Sequence, residues 1–446
     1  MPLYLQAAGW QAGFGLGGWW PAMLPTAPWL CGWPGAIWVH GVAAIPWVVL
    51  IVGVGLRFVE PELEEQAVLD GTPGQVFFCV TLRRAATAVV IAGLWVAVTS
   101  AAEMTVTDLM RIRTYAEEIY TDFAAVGTLD EGPAPFWLGV ALTGLLMLAG
   151  MGACSGFAAN LREPHGQNPW RLRLGRWRWP AACVVGLGSL VLVGVPLANL
   201  ALKAGTVVVR IGDQRIPHWS LTKCAAMVVG SPLQHGRELG WSLVIAVCAA
   251  GAVVLVAVLL AWPARRSGAG RGALLITTAI TLAIPGPIVG VAIIYLLNQR
   301  AIAPLVWLYD RSILAPWIAQ AIRALPLPLL MLWYALSTVP DAVLDSATTD
   351  GAGWFTRLVR VALPTRIPAL AGAGLVAGIV AFGELSATVL VVPPGITTLP
   401  VRMFGLLHYG IEDQVAGICL AVLVMIVALT SLGWYVVLAD RRLTAR

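Results

Sequence analysis

The sequence predicts an all-α, polytopic membrane protein of about nine transmembrane helices, arranged as two homologous halves. Three observations predict it. Hydrophobic residues make up 59% of the chain and charged residues 11%, with a mean hydropathy of +0.82. A soluble domain carries about 25% charged residues, so a bilayer is the natural solvent for this chain. Apolar stretches long enough to cross a membrane recur along its length. A short polar segment also occurs twice, about 280 positions apart: Glu64-Glu65-Gln66-Ala67-Val68-Leu69-Asp70-Gly71 and Leu344-Asp345-Ser346-Ala347-Thr348-Thr349-Asp350-Gly351.

A membrane helix needs about 20 apolar residues. In chain order the candidates are 35–58, 85–102, 135–158, 180–202, 241–262, 273–297, 316–338, 367–391 and 414–438. Gly and Pro inside them are compatible with spans. Alternating the spans sorts the connecting loops by charge. One set holds Arg83 and Arg84, then Arg162, Arg171, Arg173, Arg176 and Arg178, then Arg265, Arg266 and Arg271, then Arg357, Arg360 and Arg366, and finally Arg441, Arg442 and Arg446. The other set is poor in Arg and Lys, and its loop 103–134 is acidic. The positive-inside rule places the first set in the cytoplasm, with both polar repeats and the C-terminus, and leaves the N-terminus outside. The net charge of +5 thus reads as topology rather than as a nucleic-acid surface. The Arg- and Trp-rich segment 159–179 reads as a cytoplasmic linker between a first half, 1–158, and a second half, 180–446.

The repeat extends past the polar segments. Val80-Thr81-Leu82-Arg83-Arg84 matches Val361-Ala362-Leu363-Pro364-Thr365, and Glu103-Met104-Thr105 matches Glu384-Leu385-Ser386. The matches run parallel, which suits two halves enclosing a pathway. The first half has three clear spans and the second six. Residues 1–34 resemble the region 286–315, so the first half is expected to lack its N-terminal spans. No signal peptide is visible.

Each polar segment offers an acid, small residues and a terminal Asp-Gly. Ala67 and Ala347 allow a partner's close approach, Gly71 and Gly351 permit a positive-φ turn, and Pro364 fixes the return towards the bilayer. The second segment, continuing to Leu363-Pro364-Thr-Arg-Ile-Pro368, resembles the EAA loop of ABC importer permeases, and the first resembles it too. Two such loops in one chain resemble the fused permeases of the ferric-iron importer group, with thiamine permeases as relatives. Gly383-Glu384-Leu385-Ser386-Ala387-Thr388, Pro393-Pro394-Gly395, Thr398-Leu399-Pro400-Val401-Arg402 and Leu407-His408-Tyr409-Gly410 resemble the iron group in particular. Two departures stand out: the first loop has Leu82-Arg83 where the pattern has Leu-Pro, and Asp345-Ser346-Ala347 replaces Glu-Ala-Ala.

The resemblance implies an inner-membrane permease that receives substrate from an external binding protein. An ATPase dimer would contact Glu64, Glu65, Ala67, Asp70 and Gly71 on one loop, and Asp345, Ala347, Asp350, Gly351 and Pro364 on the other. The chain itself is then no enzyme and needs no cofactor. It has no G-x-x-x-x-G-K-[ST] nucleotide loop. Glu384, deep in span 367–391, and Glu103, at the matching end of span 85–102, are expected to line the pathway or hold its outer gate. A carboxylate at membrane depth costs at least about 2.5 kcal/mol and is normally turned inward. With only Glu384 clearly buried, an ion-coupled secondary transporter is the weaker alternative, and a non-transporting scaffold weaker still. Gly374-x-x-x-Gly378 fits close helix packing. His408 and Tyr409 could bind a metal, but the five histidines form no cluster. The seven cysteines are scattered without a C-x-x-C pair, imply neither metal site nor disulfide framework, and read mostly as small buried hydrophobes.

Overall fold

In the computed structural model, the residues described are 3–23, 28–56, 59–126, 175–211, 214–299 and 301–444, with isolated positions 141, 144 and 145. Span 135–158 and most of the 159–179 linker lie outside them.

The described chain begins with α1 (Leu3–Phe14) and α2 (Gly32–Leu56). A polar helix, α3 (Pro61–Asp70), leads through a π-turn at Phe77–Thr81 and a three-residue helix Leu82–Arg84 into α4 (Ala86–Ala101). Then come the short α5 (Thr105–Leu109) and α6 (Tyr115–Val126). A long helical stretch, α7 (Gly175–Gly205), follows. After it, the chain forms an antiparallel hairpin of β1 (Thr206–Ile211) and β2 (Gln214–Trp219), then α8 (Leu221–Gln234) and α9 (Gly236–Ala264). Among the described residues the fold is therefore all-α apart from one hairpin, where Val207 and Val208 favour a strand. Next are α10 (Gly268–Ala283), α11 (Gly286–Leu297), α12 (Leu314–Ala324), α13 (Pro326–Ser337) and the second polar helix α14 (Asp341–Thr349). A π-turn at Arg357–Ala362 and the helix Leu363–Thr365 precede α15 (Ile367–Phe382), α16 (Thr388–Val391), α17 (Leu399–His408) and α18 (Glu412–Thr444).

Among the described residues, four helices are individually long and apolar enough to span a bilayer: α2, α7, α9 and the stretch Glu412–Gly433 of α18. Four more spans are bent pairs, giving up to eight. The expected single span 273–297 is one of these, turned by 102° between α10 and α11. Its cause is local: Ile284 precedes Pro285 and is extended at ψ 119, and Pro287 then starts the next helix without needing a donor. The Pro326 break bends α12 against α13 by 53°.

Small residues set the helix spacing. On α9, Ala246, Ala249, Val253, Ala257 and Ala261 form a buried stripe, which packs on α13 and α15. Ala373, Ala377 and Ala381 of α15 answer it, so the backbones approach closely. A Cβ added at Gly374 or Gly378 would lie 3.7 Å from Val254 or 3.9 Å from Ala250, ordinary contact, so the packing at these two positions does not require glycine. Of the described cysteines only Cys419 is buried; Cys31, Cys79, Cys183 and Cys248 are exposed, because the flanks of a membrane helix bundle face lipid rather than a core. Asn199 on α7 reaches across to the N-terminal segment, donating to Gly9 O (3.1 Å) and accepting from Trp19 Nε1 (3.0 Å).

Candidate functional site

The first region of interest is a cavity of about 550 Å³, lined by His40, Trp47, Trp95, Thr99 and Ser100 of α2 and α4 and by Thr281, Arg323, Gly383 and Glu384 from later in the chain. The C-terminal ends of α4 and α15 break beside it. α4 stops at Ala101, and Ala102 sits at φ −87, ψ −2; α15 stops at Phe382, and Gly383 sits at φ −86, ψ 0. Glu103 and Glu384 follow these breaks. Glu103 accepts the N–H groups of Thr105 and Val106, both at 2.8 Å, and Glu384 accepts that of Ala387 at 2.8 Å. Each carboxylate thus satisfies backbone donors at the start of the next short helix, where negative charge is favoured. Glu384 is therefore not inside a continuous helix 367–391, as the hydropathy suggested; it sits in the turn that interrupts it.

Glu384 is also not alone at depth. Arg323 Nε lies 3.7 Å from its Oε2, with the two side chains 17% and 11% exposed. Arg323 Nη1 donates to Ile284 O at 2.9 Å. His40 faces the cavity within electrostatic reach of Glu103, and its Nε2 is buried without a hydrogen-bond partner. Both residues were legible as ionisable groups inside spans 316–338 and 35–58, a signal that the search for carboxylates passed over.

The second region comprises α3 and α14. Their burial repeats in phase: Glu64 and Leu344 are buried, the next two residues are exposed, and Ala67 and Ala347 are half-buried. Glu64 does not face outward as a partner contact. It turns inward and accepts a 2.5 Å hydrogen bond from Thr81 Oγ1. Glu65, Asp70, Asp345 and Asp350 are exposed. Gly351 has φ +83 and closes α14, with its N–H on Thr348 O and that of Ala352 on Ala347 O. Gly71 departs from the expected positive-φ turn. It is extended at φ −146, because Thr72 and Gln75 form a capping box that receives the chain in that conformation. Pro364 lies in the helix Leu363–Thr365; the counterpart Leu82–Arg84 has the same length without a proline, so the missing Leu-Pro leaves the backbone unchanged.

α14 is fastened to the α9–α10 corner by charge. Arg265 Nη2 reaches Asp341 at 2.6 Å and Val339 O at 2.8 Å; Arg266 Nη2 reaches Asp341 and Asp345, each at 3.2 Å. The hydrogen bond from Arg266, with Arg265 beside it, holds the Asp341 carboxyl below its ordinary range, and the same contacts raise Arg266. His408 Nε2 lies 3.2 Å from Asp108, and among the described residues no third ligand joins them to make a metal site.

Residues 253–445 match the family described as the inner membrane component of binding-protein-dependent transport systems. That match, over less than half of the chain, makes this part of it similar to importer permeases. Similar proteins include the putrescine transport system permease protein PotI of Escherichia coli strain K12, 26% identical over 199 residues that cover 44% of this chain and 70% of the relative. The putative 2-aminoethylphosphonate transport system permease protein PhnV of Salmonella paratyphi A is 37% identical over 75 residues, 17% of this chain and 28% of that one. The matched family is an inner membrane component and both relatives are named as transport system permeases, so the matched part of the chain resembles a membrane transport subunit.

Proposed function

We propose that the chain is the permease subunit of an ABC importer, a multi-pass inner-membrane protein that catalyses no reaction itself and works with a substrate-binding protein, that it carries two homologous halves, 1–158 and 180–446 joined by 159–179, and that an ATPase dimer docks on α3 and α14. The single observation that carries the reading is the spacing of the elements. α4 and α15 both have 16 residues and are 281 positions apart at each end (86 to 367, 101 to 382). The three-residue helices before them, Leu82–Arg84 and Leu363–Thr365, keep the same interval, and a π-turn precedes each. Packing repeats as well: α1, α2 and α5 touch one another as α11, α12 and α16 do.

In this reading α3 and α14 face the cytoplasm, the N-terminus is outside and the C-terminus inside, in line with the arginine distribution. Glu65, Ala67, Asp70, Gly71, Asp345, Ala347, Asp350 and Gly351 form the two docking faces, while Glu64 and Pro364 support them from behind. The cavity is the transit site, and Glu103 and Glu384 form its outer gate. Two gate carboxylates suit a cationic substrate. Ferric iron is the first candidate, on the resemblance of 383–410 to the iron group. A small organic amine is the second, on the relative named for putrescine.

The experiment is uptake by reconstituted permease, ATPase and binding protein, run with radiolabelled ferric iron and with putrescine. ATP-dependent uptake of one and not the other decides the substrate, and uptake without ATP or ATPase would remove the proposal.

A further inference from the structure

We propose that Arg323 is a positioning residue that locks the outer gate by tying three helix breaks together, and that its release from Glu384 is the step that opens the cavity to the outside. The inference rests on the permease reading above and adds a residue that neither the repeat nor the family match picks out. Arg323 stands at the end of α12, one residue before the Leu325-Pro326 bend. Its Nη1 holds the carbonyl of Ile284, the residue at which α10 turns into α11. Its Nε faces the carboxylate of Glu384, in the turn between α15 and α16. One guanidinium thus spans three of the interruptions beside the cavity, and it lines that cavity itself.

The geometry suits a latch rather than a permanent brace. The carbonyl contact at 2.9 Å is a full hydrogen bond, whereas the Nε–Oε2 separation of 3.7 Å is a loose ion pair whose Nε proton has no hydrogen-bond acceptor. The carboxylate is held instead by Ala387 N–H, so it stays in place when the arginine leaves. The lock is one-sided. The position 281 residues earlier is Val42, a buried residue in the interior of α2, which runs without a break from Gly32 to Leu56. Glu103 has only the imidazole of His40 within reach from that helix.

The test places a single cysteine at Ser100, which lines the cavity, in a background with the native cysteines replaced, and measures its labelling by a membrane-impermeant maleimide from outside. ATP hydrolysis without binding protein is measured in parallel in the full complex. Arg323→Gln is expected to raise both by about tenfold, the effect of removing one charged hydrogen-bonding contact from a two-state gate. Arg323→Lys, which keeps the charge but cannot span carbonyl and carboxylate together, should fall between. Adding Glu384→Gln to Arg323→Gln should change neither further. If Arg323→Gln does not assemble, Glu384→Gln removes the same contact from the other side and must give the same labelling. Unchanged labelling and hydrolysis in the assembled variants overturns the lock. A wild-type complex with no ATP-dependent uptake would instead overturn the permease reading on which the lock rests.

Discussion

Replacing Leu344 with Ala should uncouple transport from ATP hydrolysis without dissolving the membrane domain. Leu344 is 1% exposed and is the only buried residue of α14, whose other eight positions face outward or lie half-covered. Truncating a buried Leu to Ala costs about 2–5 kcal/mol. Because α14 is a short helix held at one face, that loss falls on its docking rather than on the whole fold. At about 1.4 kcal/mol per tenfold, it would weaken docking by about 30-fold at the least. The remaining fasteners cannot offset it. Asp341 and Asp345 are 71% and 64% exposed on the side chain, and exposed ion pairs contribute about 0.2–1 kcal/mol each. The assay is the ratio of substrate transported to ATP hydrolysed in proteoliposomes, with hydrogen exchange at the amides of 341–349. The ratio should fall and those amides should exchange faster, while the exposed Asp345 and Ala347 face still permits ATPase binding. Leu344→Met, nearly volume-conserving, should stay close to wild type. An unchanged ratio in Leu344→Ala would refute the reasoning that a rigidly docked α14 transmits the motion.

Further predictions concern charge and contacts between the halves. Glu384→Gln should impair uptake severely while leaving the assembled complex intact, as read by uptake and size-exclusion chromatography; normal uptake would remove the carboxylate from the pathway. The Asp341 carboxyl is depressed chiefly by its hydrogen bond from Arg266, so its stabilisation of the loop is present above its unfolded value of 3.8 and is lost as pH falls through the lower folded value. Solvent exposure limits that contribution to at most about 1 kcal/mol, so loop protection, taken relative to the intrinsic exchange rate at each pH, should be flat from pH 5 to 8 and fall only in acid, a fall that Asp341→Asn abolishes. Asn199→Ala removes both of its bonds to the first half, one of them to a main-chain carbonyl; it should lower the thermal unfolding temperature measurably, consistent with a loss of about 1–3 kcal/mol.

Eight of the nine hydropathy spans correspond to described helices or bent pairs, because length and composition suffice when lipid is the solvent. The breaks were less legible. A run such as Thr281–Leu297 is uniformly apolar, so its hydropathy is silent about the 102° turn, although the sequence Ile284-Pro285-Gly286-Pro287 encodes it. The doubled polar segment was readable, down to the half-buried Ala67 and Ala347. What it hid was orientation: Glu64 looks like a partner-facing acid in sequence, yet it aligns with Leu344 and is buried on Thr81. The π-turns at Phe77–Thr81 and Arg357–Ala362 had no sequence mark, since a widened turn leaves the hydrophobic period nearly intact. Arg323 was visible as a charge inside a span, but only the tertiary structure brings it to Ile284 and Glu384.

The measurement that tests the central claim most directly is cysteine crosslinking from positions 67 and 347 in the chain co-expressed with its ATPase. The account predicts capture of an ATPase subunit at both positions, one for each half. Capture at 347 alone would contradict the two-site arrangement, and capture at neither in a folded complex would contradict the docking role of both helices.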